Sequence, residues 1–419
     1  MSKVYALVDC NNFFVSCERV FQPSLTKRPV AILSNNDGCI IARSNEIKQM
    51  GVPMGAPYYK WRHEISTKGG LILSSNYQLY GDMSDRVMSC IANLAPSLEI
   101  YSIDEAFIRL DNMSVLELEE FAKHLRQYIF KCTGIPVSIG IGPTKTLAKL
   151  ANYNAKKNQS NYLILMTKEQ QEGILNTSEV ENIWGVGRRW SKKLRERGIY
   201  TALQLSQQNC KQIRQAFSVV GERLVMELQG VSCLSLEDIS PRKNIIASRS
   251  FGESVDSIDF LSEAVSSYVA RACMKLRKQQ SRAQAICVYI RTNRFRQDIE
   301  QYCGSTTMGF DNPTSDTREI STIAKHALKK VYKKQHKYHK AGVILMDLIP
   351  NGNEQANLFV KKEYGKSDLL MQTLDDINRQ HGRGTVKFAA EGLEQVWAMR
   401  NNHRSPRYTT SWDELLEVK

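Results

Sequence analysis

The first apolar run, Val4 to Val8, is short, partly β-branched and ends in a carboxylate, which predicts a buried strand that delivers Asp9 to the end of a sheet. Asn11 or Asn12 is placed to cap a helix running through Phe14, Cys17 and Val20. Between residues 21 and 72, Pro23, Pro29, Pro53 and Pro57 with Gly38, Gly51 and Gly55 leave no room for a long helix and predict a small insertion. Residues 98–110 predict two strand segments meeting near Ser102 to Glu105, and Val137 to Ile141 predict another strand. A helix through Phe121, Leu125 and Ile129 falls between them. Strand and helix thus alternate around two acid-bearing strand ends, the pattern of an α+β core whose insertion returns to the same sheet. Residues 166–230 predict short helices interrupted at Gly185, Gly187 and Gly198. A basic connector, Ser240 to Asn244, leads to a second α/β unit in which Ala285–Arg291 and Gly342–Met346 are strands flanking helices. The stretch Pro350-Asn351-Gly352-Asn353 opens a tail with no readable periodicity.

Length and composition turn this outline into a folded multidomain protein. At 419 residues the chain exceeds what one core usually serves, and its 42% hydrophobic and 24% charged residues are those of a globular chain. A net charge of +14 points to a polyanionic partner, and most of the excess lies between residues 241 and 350. The ten cysteines are scattered without a CxxC pair, and His336 and His339 have no cysteines at zinc-finger spacing. Reduced thiols and a cytoplasmic location are expected. The start lacks a signal-peptide pattern and no apolar run approaches the roughly 20 residues of a membrane span, so no membrane is expected as a partner.

Acids at the ends of neighbouring strands suit phosphoryl transfer, where two magnesium ions about 3.5–4 Å apart clamp the attacking and leaving oxygens. Asp9, Asp104 and Glu105 are the candidates. Adjacent strand residues face opposite ways, so Asp104 and Glu105 converge only at a bend, which Ser102 makes plausible. On chemistry alone the three acids could equally be surface carboxylates that end strands.

The segments Asp9-Cys10-Asn11-Asn12-Phe13-Phe14-Val15-Ser16-Cys17-Glu18 and Tyr101-Ser102-Ile103-Asp104-Glu105-Ala106-Phe107 resemble the two signature motifs of Y-family translesion DNA polymerases. Ser34–Cys39, Ser75-Asn76-Tyr77, Thr144–Lys149 and Ser405–Thr410 extend the resemblance over nearly the whole chain, within the UmuC-type branch. The resemblance implies an α+β multidomain fold. Its parts are a ferredoxin-like palm (1–22 and 73–165), small fingers (23–72), a helical thumb with a helix-hairpin-helix (166–240), an α/β little finger (241–350) and a C-terminal tail (351–419). It implies an error-prone DNA polymerase of the SOS response, adding deoxynucleotides opposite damaged bases. Other palm-type nucleotidyl enzymes and a non-catalytic DNA-binding scaffold stay open as alternatives.

The resemblance also distributes roles. Asp9, Asp104 and Glu105, with the backbone carbonyl of Cys10, become ligands of two Mg2+ ions. Phe14 takes the place of the sugar gate, where the branch more often has tyrosine, and Phe13 beside it suits the core. Lys48 and Lys156 fall at triphosphate-contacting positions. Gly185, Gly187, Arg188 and Arg189 resemble a helix-hairpin-helix turn whose backbone N–H groups meet a phosphate. Arg271, Lys275, Arg277, Lys278, Arg282, Arg291, Arg294 and Arg296 match the DNA-facing little finger. Gln355, Leu358 and Phe359 resemble a sliding-clamp-binding pentapeptide, from which Ala356 departs. The implied partners are primer-template DNA, dNTPs, a UmuD′-like accessory dimer, a RecA filament and the sliding clamp.

Overall fold

The computed structural model describes residues 3–158, 160–237, 241–353, 355, 364–382, 384–393 and 401–416. Two compact units emerge, one of Met1–Ser34, Gly38–Asp238 and Asn402–Lys419, the other of Asn35–Asp37 and Ile239–Asn401.

The first unit opens with β1 (Tyr5–Cys10) and α1 (Phe13–Phe21). An insertion follows: β2 (Val30–Leu33), β3 (Ile40–Arg43), α2 (Asn45–Gln49), α3 (Tyr58–Thr67) and β4 (Leu71–Ser74). It does not feed the main sheet. Its strands form a separate sheet of order β3-β2-β4 around Leu33, Ile40, Ile47 and Ile65. The wholly buried run of β2, paired in parallel with β4, is covered on both faces: Ala31 and Leu33 join the insertion's own core, and Val30 and Ile32 join the main one.

The chain continues as α4 (Tyr77–Leu94), β5 (Leu98–Ile100), β6 (Glu105–Arg109), α5 (Val115–Thr133), β7 (Val137–Gly142), α6 (Lys145–Lys157) and β8 (Tyr162–Ile164). The resulting ferredoxin-like sheet has the order β5-β6-β1-β7-β8 with β1 central. Ala6, Val8, Ala106 and Ile139 face α4 and α5 in one core, while Tyr5, Leu7 and Phe107 face α6 and Ala148. α6 lies close on β7 because Gly140 has no side chain. A Cβ there would come within 2.1 Å of the Asn152 nitrogen. Helices α7 (Lys168–Thr177), α8 (Arg188–Arg195), α9 (Ala202–Ser206) and α10 (Cys210–Leu228) close a small core of their own around Leu175, Leu194, Leu205 and Val225.

The second unit contains β9 (Ile245–Val255), α11 (Ile258–Lys278), β10 (Ser281–Arg291), β11 (Cys303–Thr314), α12 (Thr317–Val331), β12 (Tyr338–Met346), β13 (Ile349–Pro350) and α13 (Tyr364–Gln380). An antiparallel sheet of order β11-β10-β12-β9 carries α11 and α12 over one core.

Candidate active site

β1 sets the site. Its alternation puts Asp9 on the α6 side of the sheet, and antiparallel pairing with β6 sets Asp9 opposite Glu105. The approach to β6 is a bend built on Ser102, whose Oγ accepts from the Asp104 N–H (3.3 Å) and the Glu105 N–H (3.1 Å) and donates to Asp104 Oδ1 (2.7 Å). Cys10 N–H donates to the Asp104 carbonyl at 2.9 Å, which pins the bend against the end of β1. Asp9 and Asp104, from stretches nearly a hundred residues apart, line one cleft of about 560 Å³.

Because α6 crosses this face of the sheet, its lysines meet the acids. Lys156 pairs with Asp9, and Lys149 pairs with Glu105 at 2.9 Å. Burial pushes the Asp9 carboxyl up to about 7. Lys156 opposes that rise, and nearby Glu105 adds to it. Among the described residues no three His, Cys, Asp or Glu side chains are grouped so as to hold a metal ion. Asp9 is turned to Lys156, Glu105 to Lys149 and Asp104 to Ser102.

The opposite wall comes from the insertion: Ile41, Ala42 and Arg43 of β3, with Asn45 and Lys48 of α2. Lys48 Nζ donates to Asn12 Oδ1 at 2.5 Å, and Asn12 Nδ2 donates to Asn45 Oδ1 at 3.0 Å. Burial lowers the pKa of Lys48, and the nearby Arg43 and Lys156 add to the fall. Arg43 was not singled out from the sequence. Its Nη1 donates to the Val52 carbonyl, and its buried Nε has no hydrogen-bond partner. A lone arginine in an isoleucine-rich strand carries no motif that would have flagged it.

Phe13 and Phe14 both border the cleft, with different neighbours. Phe13 is 3% exposed and belongs to the main core. Phe14 is half-buried, stacked on Tyr80 with centroids 4.4 Å apart at 13° and meeting Tyr77 edge-on at 6.0 Å.

Farther along, Gly185 (φ +89°) turns the chain before α8, whose N-cap is Gly187, and Arg188 and Arg189 stand exposed beside it. Trp184, also unforeseen, fixes this hairpin to the sheet. Its Nε1 donates to Tyr101 Oη at 3.1 Å and its ring meets Phe107 and the Lys149 ammonium. In the second unit, Arg291 of β10 stands opposite Lys340 of β12, with Arg249 of β9 one position further. Burial, then Arg291 and neighbouring Arg249 and Arg294, depress the Lys340 pKa, so these cations form one crowded stripe.

Two residues expected on a DNA-facing surface sit elsewhere. Arg277 (13% exposed) pairs with Asp375 at 2.6 Å and Arg282 (7% exposed) with Asp368 at 2.6 Å, both acids on α13. They are tied up by the tail helix. Arg296 is paired with Asp298. Gln355 is exposed, whereas Leu358 and Phe359 of the expected clamp motif lie outside the described residues.

Residues 8–153 match the impB/mucB/samB family and 242–358 its C-terminal domain, while 368–418 match a domain of unknown function. The chain is 44% identical to Protein UmuC of Salmonella typhimurium over 99% of its own length and 100% of that protein's. It is 42% identical to Protein SamB of the same organism, over 99% of this chain and 100% of SamB. Among solved structures, a chimera of the Y-family DNA polymerases Dbh and Dpo4 superposes with a TM-score of 0.67 at 21% identity, covering 83% of this chain and all of the chimera. The fold is that of a Y-family DNA polymerase. Within that class, the chain belongs to the UmuC branch, the impB/mucB/samB family. It is a DNA-directed DNA polymerase of the translesion kind, and membership implies dependence on divalent metal. A scaffold or another nucleotidyl enzyme is not favoured. No helix among the described residues is long and apolar enough to cross a membrane.

Proposed function

We propose that the cleft adds deoxynucleotides to a primer 3′ end opposite damaged bases, with Asp9, Asp104 and Glu105 as ligands of two magnesium ions and the Cys10 carbonyl completing one shell. One observation carries the reading: Asp9 and Asp104 line the same cleft as Phe14 and the cations Arg43, Lys48 and Lys156. The donor chemistry fits, since the acids supply hard oxygens and Glu105 sits close enough to Asp9 to add to the rise in its proton affinity. Bound there, the metal pair would stabilise charge on the phosphate under attack.

The chain's own groups supply the rest. Ser102 holds Asp104 at the bend, in the lining of the cleft. Phe14, backed by Tyr80, closes the space a 2′ hydroxyl would need. Lys48, Lys156 and Arg43 are the cations for the triphosphate. The backbone at Gly185 and Gly187 with Arg188 and Arg189, and the stripe bearing Arg291 and Arg294, are contacts for duplex phosphates. The short insertion, with a core of seven fully buried side chains, is a light cover that leaves space for an altered base. Resemblance to the branch supports action in the cytoplasm during the SOS response, with a UmuD′-like dimer, a RecA filament and a sliding clamp held through Gln355, Leu358 and Phe359.

Asp104→Asn is expected to abolish primer extension while leaving DNA affinity within about two-fold, because the substitution removes a ligand but no duplex contact. Primer extension and anisotropy on the same preparation check this. Extension at the wild-type rate would remove Asp104 from the chemistry.

A further inference from the structure

A gate that excludes a hydroxyl by bulk is only as stiff as what stands behind it. Behind the Phe14 ring is Tyr80, stacked at 4.4 Å and fully buried on α4. The Tyr80 hydroxyl donates to Glu18 Oε1 at 2.7 Å. Glu18 is 0% exposed, and the same oxygen accepts a second bond, at 3.0 Å, from the Ser405 hydroxyl, 387 positions away. Glu18 Oε2 has no hydrogen-bond partner, and burial drives the carboxyl toward its neutral form. The acid is therefore held by two hydroxyls alone, one from the gate's support and one from the distal segment.

That segment is firmly seated. Asn76, which caps α4 through its Oδ1, uses its Nδ2 to donate to the Ser405 carbonyl (3.1 Å), Ser405 Oγ (3.0 Å) and the Pro406 carbonyl (3.0 Å). Ser74 N–H donates to the His403 carbonyl at 2.9 Å, and the Tyr408 ring stacks on Phe21 of α1 at 4.8 Å and 8°. The Tyr408 hydroxyl accepts from Gln22 at 2.6 Å. Residues 403–408 thus join the two helices that carry the gate and its support.

We propose that residues 403–408 form the back wall of the sugar gate, with Ser405 a positioning residue that fixes Phe14 through Glu18 and Tyr80. This rests on Phe14 being the gate, and it gives the distal end of the region of unknown function, 368–418, a part in nucleotide selection. Loosening the wall lets Phe14 recoil from a ribose, so ribonucleotides gain while deoxynucleotides, which never press on the ring, do not.

The test is single-nucleotide insertion by the full-length chain, comparing kcat/KM for a dNTP and the matching rNTP in Phe14→Ala, Ser405→Ala, Tyr80→Phe and the Phe14→Ala/Ser405→Ala double variant. Loss of one buried hydrogen bond predicts a fall in sugar discrimination on the order of five-fold for Ser405→Ala and for Tyr80→Phe. Ser405→Cys, which keeps a weak donor, restores part of it. In the Phe14→Ala background, Ser405→Ala changes discrimination no further, a coupling that general destabilisation would not produce. If Phe14→Ala relaxes discrimination but Ser405→Ala and Tyr80→Phe both match the wild type, the back wall is refuted and the gate stands. If Phe14→Ala itself leaves discrimination unchanged, the gate falls and the back wall with it.

Discussion

The guanidinium of Arg43 stands in the wall of the cleft with one nitrogen on the Val52 carbonyl and a buried Nε that no hydrogen-bond acceptor meets. Leaving such a donor unpaired costs roughly 1–3 kcal/mol, which an anionic ligand in the cleft offsets. Arg43→Ala is therefore expected to raise the KM for an incoming dNTP about ten-fold with a smaller change in kcat, since the loss falls on ground-state binding as well. Insertion rates across a dNTP titration check this, and an unchanged KM takes Arg43 away from the triphosphate. Asp9, Asp104 and Glu105 could be picked out as candidates because a continuous apolar strand ending in an acid, and an acid pair near a serine, are local patterns, and the resemblance gave them their roles. Arg43 could not, because what distinguishes it is the space around it. Glu18 was quoted only as part of a motif, and the burial that makes it interesting depends on Ser405.

Within the second unit α13 is held by the Arg277–Asp375 and Arg282–Asp368 ion pairs and by a hydrogen bond from Ser367 to Asp316, whose carboxyl is an acid-sensitive point. Asp316 caps α12 by accepting from Arg318 N–H at 2.8 Å, and it also accepts from Ser367 Oγ at 2.6 Å. Burial alone would raise its pKa, but the bonds from Arg318, Ser367 and the backbone hold it at about 2, below the usual value of 3.8. A carboxyl depressed on folding stabilises above its unfolded pKa, and that stabilisation is lost as pH falls from about 4 toward about 2. Asp316→Asn should lower unfolding free energy at pH 7 by about 1–2 kcal/mol and flatten the acid limb. Denaturant melts at pH 7, 4 and 2.5 would show it, and parallel acid limbs would count against the assignment. The sequence misjudged this region. Arg277 and Arg282 looked like DNA contacts, because a charge count does not reveal that Asp375 and Asp368 neutralise them from 98 and 86 positions downstream. The strands of the insertion were hidden in a similar way, with Val30–Leu33 lying directly after Pro29 in a stretch dominated by turn residues.

For the chain as a whole, the surplus of +14 makes nucleic-acid binding strongly dependent on salt. Each cation that neutralises a phosphate contributes a slope of about −0.9 to log K against log salt. Replacing Arg291 and Arg294 by Gln is expected to make that slope shallower by up to about 2, measured by anisotropy on primer-template across a KCl series. An identical slope would show that the stripe does not meet phosphate. That the positive excess lies between residues 241 and 350 was readable from a charge count. The return of residues 402–416 to the first unit was not, since no local pattern encodes a contact across 387 positions. That return has a consequence for biosynthesis. At about 5–20 residues per second, a ribosome that has made Glu18 needs roughly 20–80 s to reach Ser405. Throughout that interval the nascent first unit carries an uncovered acid and an unroofed aromatic surface.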